Sequence, residues 1–208
     1  MPNYTLKIGL LNQQLDNLEA CNASIIIAKP SEGGEGPNVA WQTIKPLENN
    51  TLRWTEDYGI YVSNTELVHG ANLDQLSSTS IPAGSDMLYT IKPSGAISGP
   101  APGGAEYSYA LLNSYDKKSY MTVGLFQDAN VNGTDIIGNA TSAVPVLLAN
   151  TAVMTPYTTV YIWVQSQVVS NTVVTTVTSP MTELKFGAEV QDISVVYDSN
   201  SGRFISAD

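Results

Sequence analysis

One stretch of the sequence places oxygen-bearing side chains at alternate positions: Asp128-Ala-Asn130-Val-Asn132-Gly133-Thr-Asp135. Asp128, Asn130 and Asn132, followed by glycine, match the first half of a calcium loop. There alternate oxygens face the ion and the glycine makes the sharp turn. The twelfth position is Asn139, where such a loop needs a bidentate Glu, and the flanks are strand-like rather than helical. The competing reading is a polar β-hairpin, because Asn-Gly is a strong turn signal. Calcium on Asp128, Asn130, Asn132 and Asp135 is therefore one expectation and a hairpin turn the other. No other cofactor is indicated.

Other chemistry is sparsely supplied, with one His and one Cys in the chain. His69 has no Gly-x-Ser-x-Gly elbow beside it, which argues against a nucleophilic triad. A zinc site needs further His or Cys ligands, and only Cys21 exists. An ordinary loop histidine is expected. Glu56 and Asp57 could form an acid–base pair only on one face, but strand neighbours point to opposite faces. Solvated loop charges are expected there. Gly33-Gly34-Glu35-Gly36 lacks the Lys and the following helix of a phosphate loop. Trp41, Trp54 and Trp163 lie inside strand patterns, where core packing is the expectation rather than stacking on a sugar. The chain reads as non-enzymatic.

Charge narrows the partners. Nine Lys plus Arg stand against 19 Asp plus Glu, a formal net charge of −10, and charged residues make up only 13% of the chain. Such a chain repels nucleic acid and anionic lipid. A surface poor in charge and rich in amides and hydroxyls loses little solvation on packing against a copy of itself. Near the carboxylate pKa range the repulsion between copies fades. Cys21 cannot form an intrachain disulfide. Buried, it would be inert; exposed, it is a candidate for an intermolecular disulfide.

The elements that must position these groups are strands. In the first half the periodicity predicts strands at Tyr4–Leu10, Ala23–Ala28, Val39–Ile44, Leu52–Thr55 and Gly59–Ser63. Further strands are predicted at Met87–Lys92, Tyr107–Leu112, Tyr120–Gln127, Ala143–Leu148 and Thr158–Gln167. The last are Thr172–Thr178, Glu183–Phe186, Ile193–Tyr197 and Arg203–Ile205. One short helix fits Leu11–Ala20, with Leu11, Leu15 and Leu18 on one face. The expected fold is all-β, an antiparallel β-sandwich of jelly-roll or Ig-like type. It forms a single domain over residues 1–208. Ser31–Pro37 and residues 93–105 are Gly/Pro-rich, and the second is expected to be a long loop. No apolar run is long enough to cross a membrane as a helix. Met1–Lys7 shows no basic-then-apolar leader, so a cytoplasmic location is expected.

Asn38-Val-Ala-Trp41-Gln-Thr-Ile-Lys-Pro46 and Leu52-Arg-Trp54-Thr-Glu-Asp-Tyr58-Gly-Ile-Tyr61 resemble the bacterial rhizosphere-induced protein family. That family carries a Trp strand, a Pro turn and a Trp-x-x-x-Tyr strand in this order. Val123-Gly124-Leu125 and Tyr157–Trp163 are similar to its second half. The family has a crystal-forming fungal branch, found in vacuolar protein bodies that serve as gravity-sensing statoliths. The resemblance implies a non-enzymatic, self-assembling homo-oligomer under redox control, and a vacuolar location. The alternative function is a lectin-like carbohydrate-binding module, with or without calcium.

Overall fold

The computed structural model describes residues 3–31 and 36–207. The chain opens with β1 (Asn3–Gly9), helix α1 (Asn12–Ala20), β2 (Ala23–Ala28), β3 (Val39–Ala40), β4 (Gln42–Ile44), β5 (Asn49–Thr55) and β6 (Gly59–Ser63). Its middle holds β7 (Ser77–Ser78), β8 (Met87–Ile91), β9 (Ile97–Pro102), β10 (Tyr109–Asn113), β11 (Tyr120–Val131) and β12 (Thr134–Ala140). It closes with β13 (Val144–Leu147), β14 (Thr151–Met154), β15 (Thr159–Ser166), β16 (Thr172–Val173), β17 (Thr182–Lys185), β18 (Asp192–Asp198) and β19 (Arg203–Ser206). The fold is all-β and sandwich-like, with mostly antiparallel strands; β1 with β18 and β8 with β10 run parallel. Among the described residues no helix is long and apolar enough to cross a membrane.

The largest sheet runs β19-β18-β1-β5-β11-β6-β7, with β12 and β13 also on β11. β5 and β6 lie end to end along the 12-residue β11. Asn130 and Val131 pair with Arg53 and Leu52, whereas Thr122–Phe126 pair with Ser63–Gly59. The interruption between them falls at residues 56–58. Two four-stranded sheets pack on this long sheet. β17-β15-β2-β4 covers one half, where Leu6, Ile8, Leu52 and Trp54 meet Ile25, Ile27, Val160 and Ile162. β14-β10-β8-β9 covers the other, where Ile60, Val62, Val123 and Leu125 meet Tyr89, Ile91, Leu111 and Met154.

Local sequence explains the strands. β1 and β5 both show strict alternation of buried and open positions, the mark of a sheet with one face on a core. β2 buries Ile25 through Ala28, because Ile25 and Ile27 face one core while Ile26 and Ala28 face a second with Trp163 and Val174. All three Trp are core residues, as their strand settings imply.

Five elements differ from the sequence reading. Only Thr172–Val173 of Thr172–Thr178 is strand, since its partner β3 offers a two-residue ladder. Val173 and Val174 are buried in different clusters, so the β-branched run is spent on covering two cores. The stretch 93–105 is not all loop: Ile97–Pro102 forms β9 on β8, at a sheet edge that tolerates Pro100 and Pro102. β12 and β14 escape the periodicity because each alternates weakly between polar and apolar residues. Leu11 falls just outside α1 as its N-cap and is 70% exposed, while Gln14 in the first turn is buried. Gln14 Oε1 accepts the Leu11 N–H at 2.9 Å, and its Nε2 donates to the Tyr197 carbonyl at 2.8 Å. Of the Ser31–Pro37 stretch, residues 32–35, with Gly33, Gly34 and Glu35, lie outside the described residues.

Candidate functional site

The densest polar chemistry is inside the protein. Lys29 directly follows the apolar β2 and is itself buried. Trp54 lies near the end of β5, and Glu56 and Tyr58 sit in the break between β5 and β6, where their hydrogen bonds gather all three around Lys29. Lys29 Nζ donates to Glu56 Oε1 at 3.0 Å and to the Tyr58 hydroxyl at 2.6 Å. That hydroxyl donates on to Glu56 Oε2 at 2.5 Å. Trp54 Nε1–H completes the carboxylate, donating to Oε1 at 2.9 Å. The ammonium also lies 5.3, 5.7 and 4.9 Å from the ring centroids of Trp41, Trp54 and Tyr58, a desolvated cation–π cage. Trp41 is anchored in turn by its Nε1–H on the Gln127 carbonyl at 3.2 Å.

Electrostatics follow from burial. Desolvation lowers the Lys29 pKa, and the attraction of Glu56 opposes that shift without cancelling it. Burial, reinforced by Glu56, holds the Tyr58 phenol well above its ordinary value. Tyr109, whose ring centroid is 6.2 Å from that of Tyr58, is pushed up to about 12, first by burial and then by Tyr89 and Asp57. The expectation that Glu56 is a solvated loop charge is corrected here: its side chain is 13% exposed and holds the only cation in the cage. Sequence adjacency to Asp57 hid this, because the partner arrives from β2, 27 positions away. Residues 56–58 lie in no strand, so no local periodicity marks Glu56 as buried.

The oxygen-rich stretch forms the β11–β12 hairpin, with Asn132-Gly133 at its tip and positive φ at both. Asp128 sits at a register shift in β11, and its Oδ1 accepts the Gly138 N–H at 2.8 Å. Asn130 Nδ2 donates to Asp135 Oδ1 at 2.7 Å. Asn132 points the other way: its Oδ1 accepts the Thr51 N–H at 2.7 Å, and its Nδ2 donates to Asn50 Oδ1 at 3.3 Å. The hairpin thus joins Asn130 to Asp135, holds Asp128 on the Gly138 backbone and ties Asn132 to β5. Among the described residues no group of three or more His, Cys, Asp or Glu is arranged to hold a metal. Asn132→Ala should cost about 1–2 kcal/mol, through the lost bond to Thr51 and a left-handed backbone that Ala tolerates poorly. Urea denaturation reads that cost.

Asp128, Asn130 and Asp135 line one wall of a cleft of about 620 Å³, with Asn3, Thr5 and Arg53 opposite. It lies on the outer face of β1, β5, β11 and β12, away from the core. Tyr4 and Trp54 reach it from the buried side and are 2% and 4% exposed, so the cleft offers no open aromatic face. Further along that face the cross-strand neighbours Val196 and Ile205 are exposed, and Leu11 meets Val196 in a shallow apolar groove.

Cys21 caps the C-terminal end of α1 and is exposed. His69 is an exposed loop residue whose Nδ1 accepts the Thr175 N–H at 3.2 Å. The structure brings neither of them to the cleft lining or to the Lys29 cage. No family model, curated protein or solved structure matches this chain.

Proposed function

We propose that this chain is a non-enzymatic structural protein that packs with copies of itself into dense bodies, locked by disulfides between Cys21 thiols. The observation that carries this reading is the open outer face of the large sheet. It leaves Val196 and Ile205 side by side in solvent with Leu11 next to them, in a chain with few charges to desolvate. The exposed thiol at the end of α1 is open to a disulfide with a second copy. Net charge of −10 keeps copies apart at neutral pH, and partial protonation of carboxylates in an acidic vacuole-like compartment lowers that barrier. A second reading, carbohydrate binding, rests on the polar cleft beside the β11–β12 hairpin.

Light scattering on concentrated protein tests this, taken from about pH 7.5 to about 5 with and without reductant. Wild type should form particles on acidification, and oxidised particles should redissolve at neutral pH only with reductant. Cys21→Ser particles should redissolve without it. A wild-type protein that stays monomeric throughout overturns the assembly reading. Binding on a glycan array would then support the second.

A further inference from the structure

A buried ion pair is an expensive way to join two sheets, because an apolar pair of the same volume usually holds as well. The Lys29–Glu56 pair has features that an ion pair does not need. Its ammonium is enclosed by three aromatic rings. The Tyr58 hydroxyl stands between its two partners, accepting from Nζ and donating to Oε2. Trp54 Nε1–H is aimed at the other oxygen, Oε1.

We propose that Lys29 and Glu56 condense into an intramolecular amide, so that this cluster is a self-modification site linking the end of β2 to the β5–β6 junction. In this largely enclosed site, transfer of one proton from the ammonium to the carboxylate gives a neutral amine beside a neutral acid, the reactive forms of both. The Nζ lone pair then attacks Glu56 Cδ. Negative charge develops on Oε1, where Trp54 Nε1–H already donates. Tyr58 passes its proton to Oε2 as it takes one from Nζ. The Cδ–Oε2 bond breaks and Oε2 leaves as water. The amine gives up one hydrogen, the acid gives up its hydroxyl, and Tyr58 ends as it began; no oxidant, reductant or activating nucleotide enters. The lowered Lys29 pKa and the raised Tyr58 pKa both favour the neutral forms that this sequence uses. Contact at hydrogen-bond distance supplies the proximity that makes an otherwise slow condensation feasible, and the aromatic walls withhold the water needed for hydrolysis. The inference is independent of self-assembly.

Intact-mass spectrometry of the purified, denatured wild-type chain tests it. The expected mass is one water below that of the sequence, and a protease digest should yield a branched peptide containing both Lys29 and Glu56. Lys29→Met should show the full mass whether or not it folds well. Tyr58→Phe, which keeps the ring but removes the relay, should keep the full mass or lose water several-fold more slowly. A wild-type chain at full mass after prolonged incubation of the folded protein overturns the proposal. So does a water loss that maps to other residues.

Discussion

Measured against the chain before any Lys29–Glu56 amide forms, Lys29→Ala should lower folding stability by about 3–5 kcal/mol, the cost of leaving one member of a buried charged pair alone. For a chain of this size that is a fall in Tm of about 6–20 °C. The loss has three sources in the structure. Glu56 keeps its carboxylate in a site only 13% exposed. The Tyr58 hydroxyl loses the donor at 2.6 Å. Trp41, Trp54 and Tyr58 lose the cation they surround. Glu56→Ala should be as damaging, because it orphans the ammonium, the phenol and the Trp54 indole together. The two changes share one network, so the double variant should lose much less than the sum. Guanidinium denaturation of the four proteins completes the cycle. Losses below about 1 kcal/mol, in the range of exposed pairs, would contradict the enclosed geometry.

Gly124→Ala should cost about 3 kcal/mol or more. A Cβ at this point of β11 would run into the Ser142 carbonyl oxygen and the Tyr61 ring. Neither can retreat cheaply. Tyr61 Oη donates to that same carbonyl at 2.8 Å, and the Thr141 N–H donates to the Leu125 carbonyl at 2.8 Å, so the two backbones are fastened together where they cross. Gly187→Ala is the matched control, since a Cβ there meets nothing within 4 Å. Soluble yield and thermal melts of the two variants should separate clearly; equal melts would mean that the 141–143 segment moves aside without cost.

Strands with one buried face were legible because their alternation is a direct consequence of the pleat: β1, β2, β6 and β15 fall within a residue or so of where the periodicity puts them. The Trp residues were legible for the same reason. What periodicity could not show is anything decided by a distant partner. Glu56 looks like a surface charge until Lys29 is placed over it. Thr172–Thr178 has strong β propensity, but a ladder needs a partner of equal length, and β3 supplies two residues. β9 hid behind its prolines, which only an edge position permits. Asn132-Gly133 did announce a turn, yet the attachment of Asn132 to Thr51 depends on a pairing across the sheet.

The sharing of β11 between two cores bears on how the protein comes apart. Its residues 122–126 pair with β6 beneath one sandwich, and its residues 130–131 pair with β5 beneath the other. Opening either core frays the strand that floors its neighbour. The two halves are therefore expected to melt in a single calorimetric step, with the amide protons in the middle of β11 among the slowest to exchange.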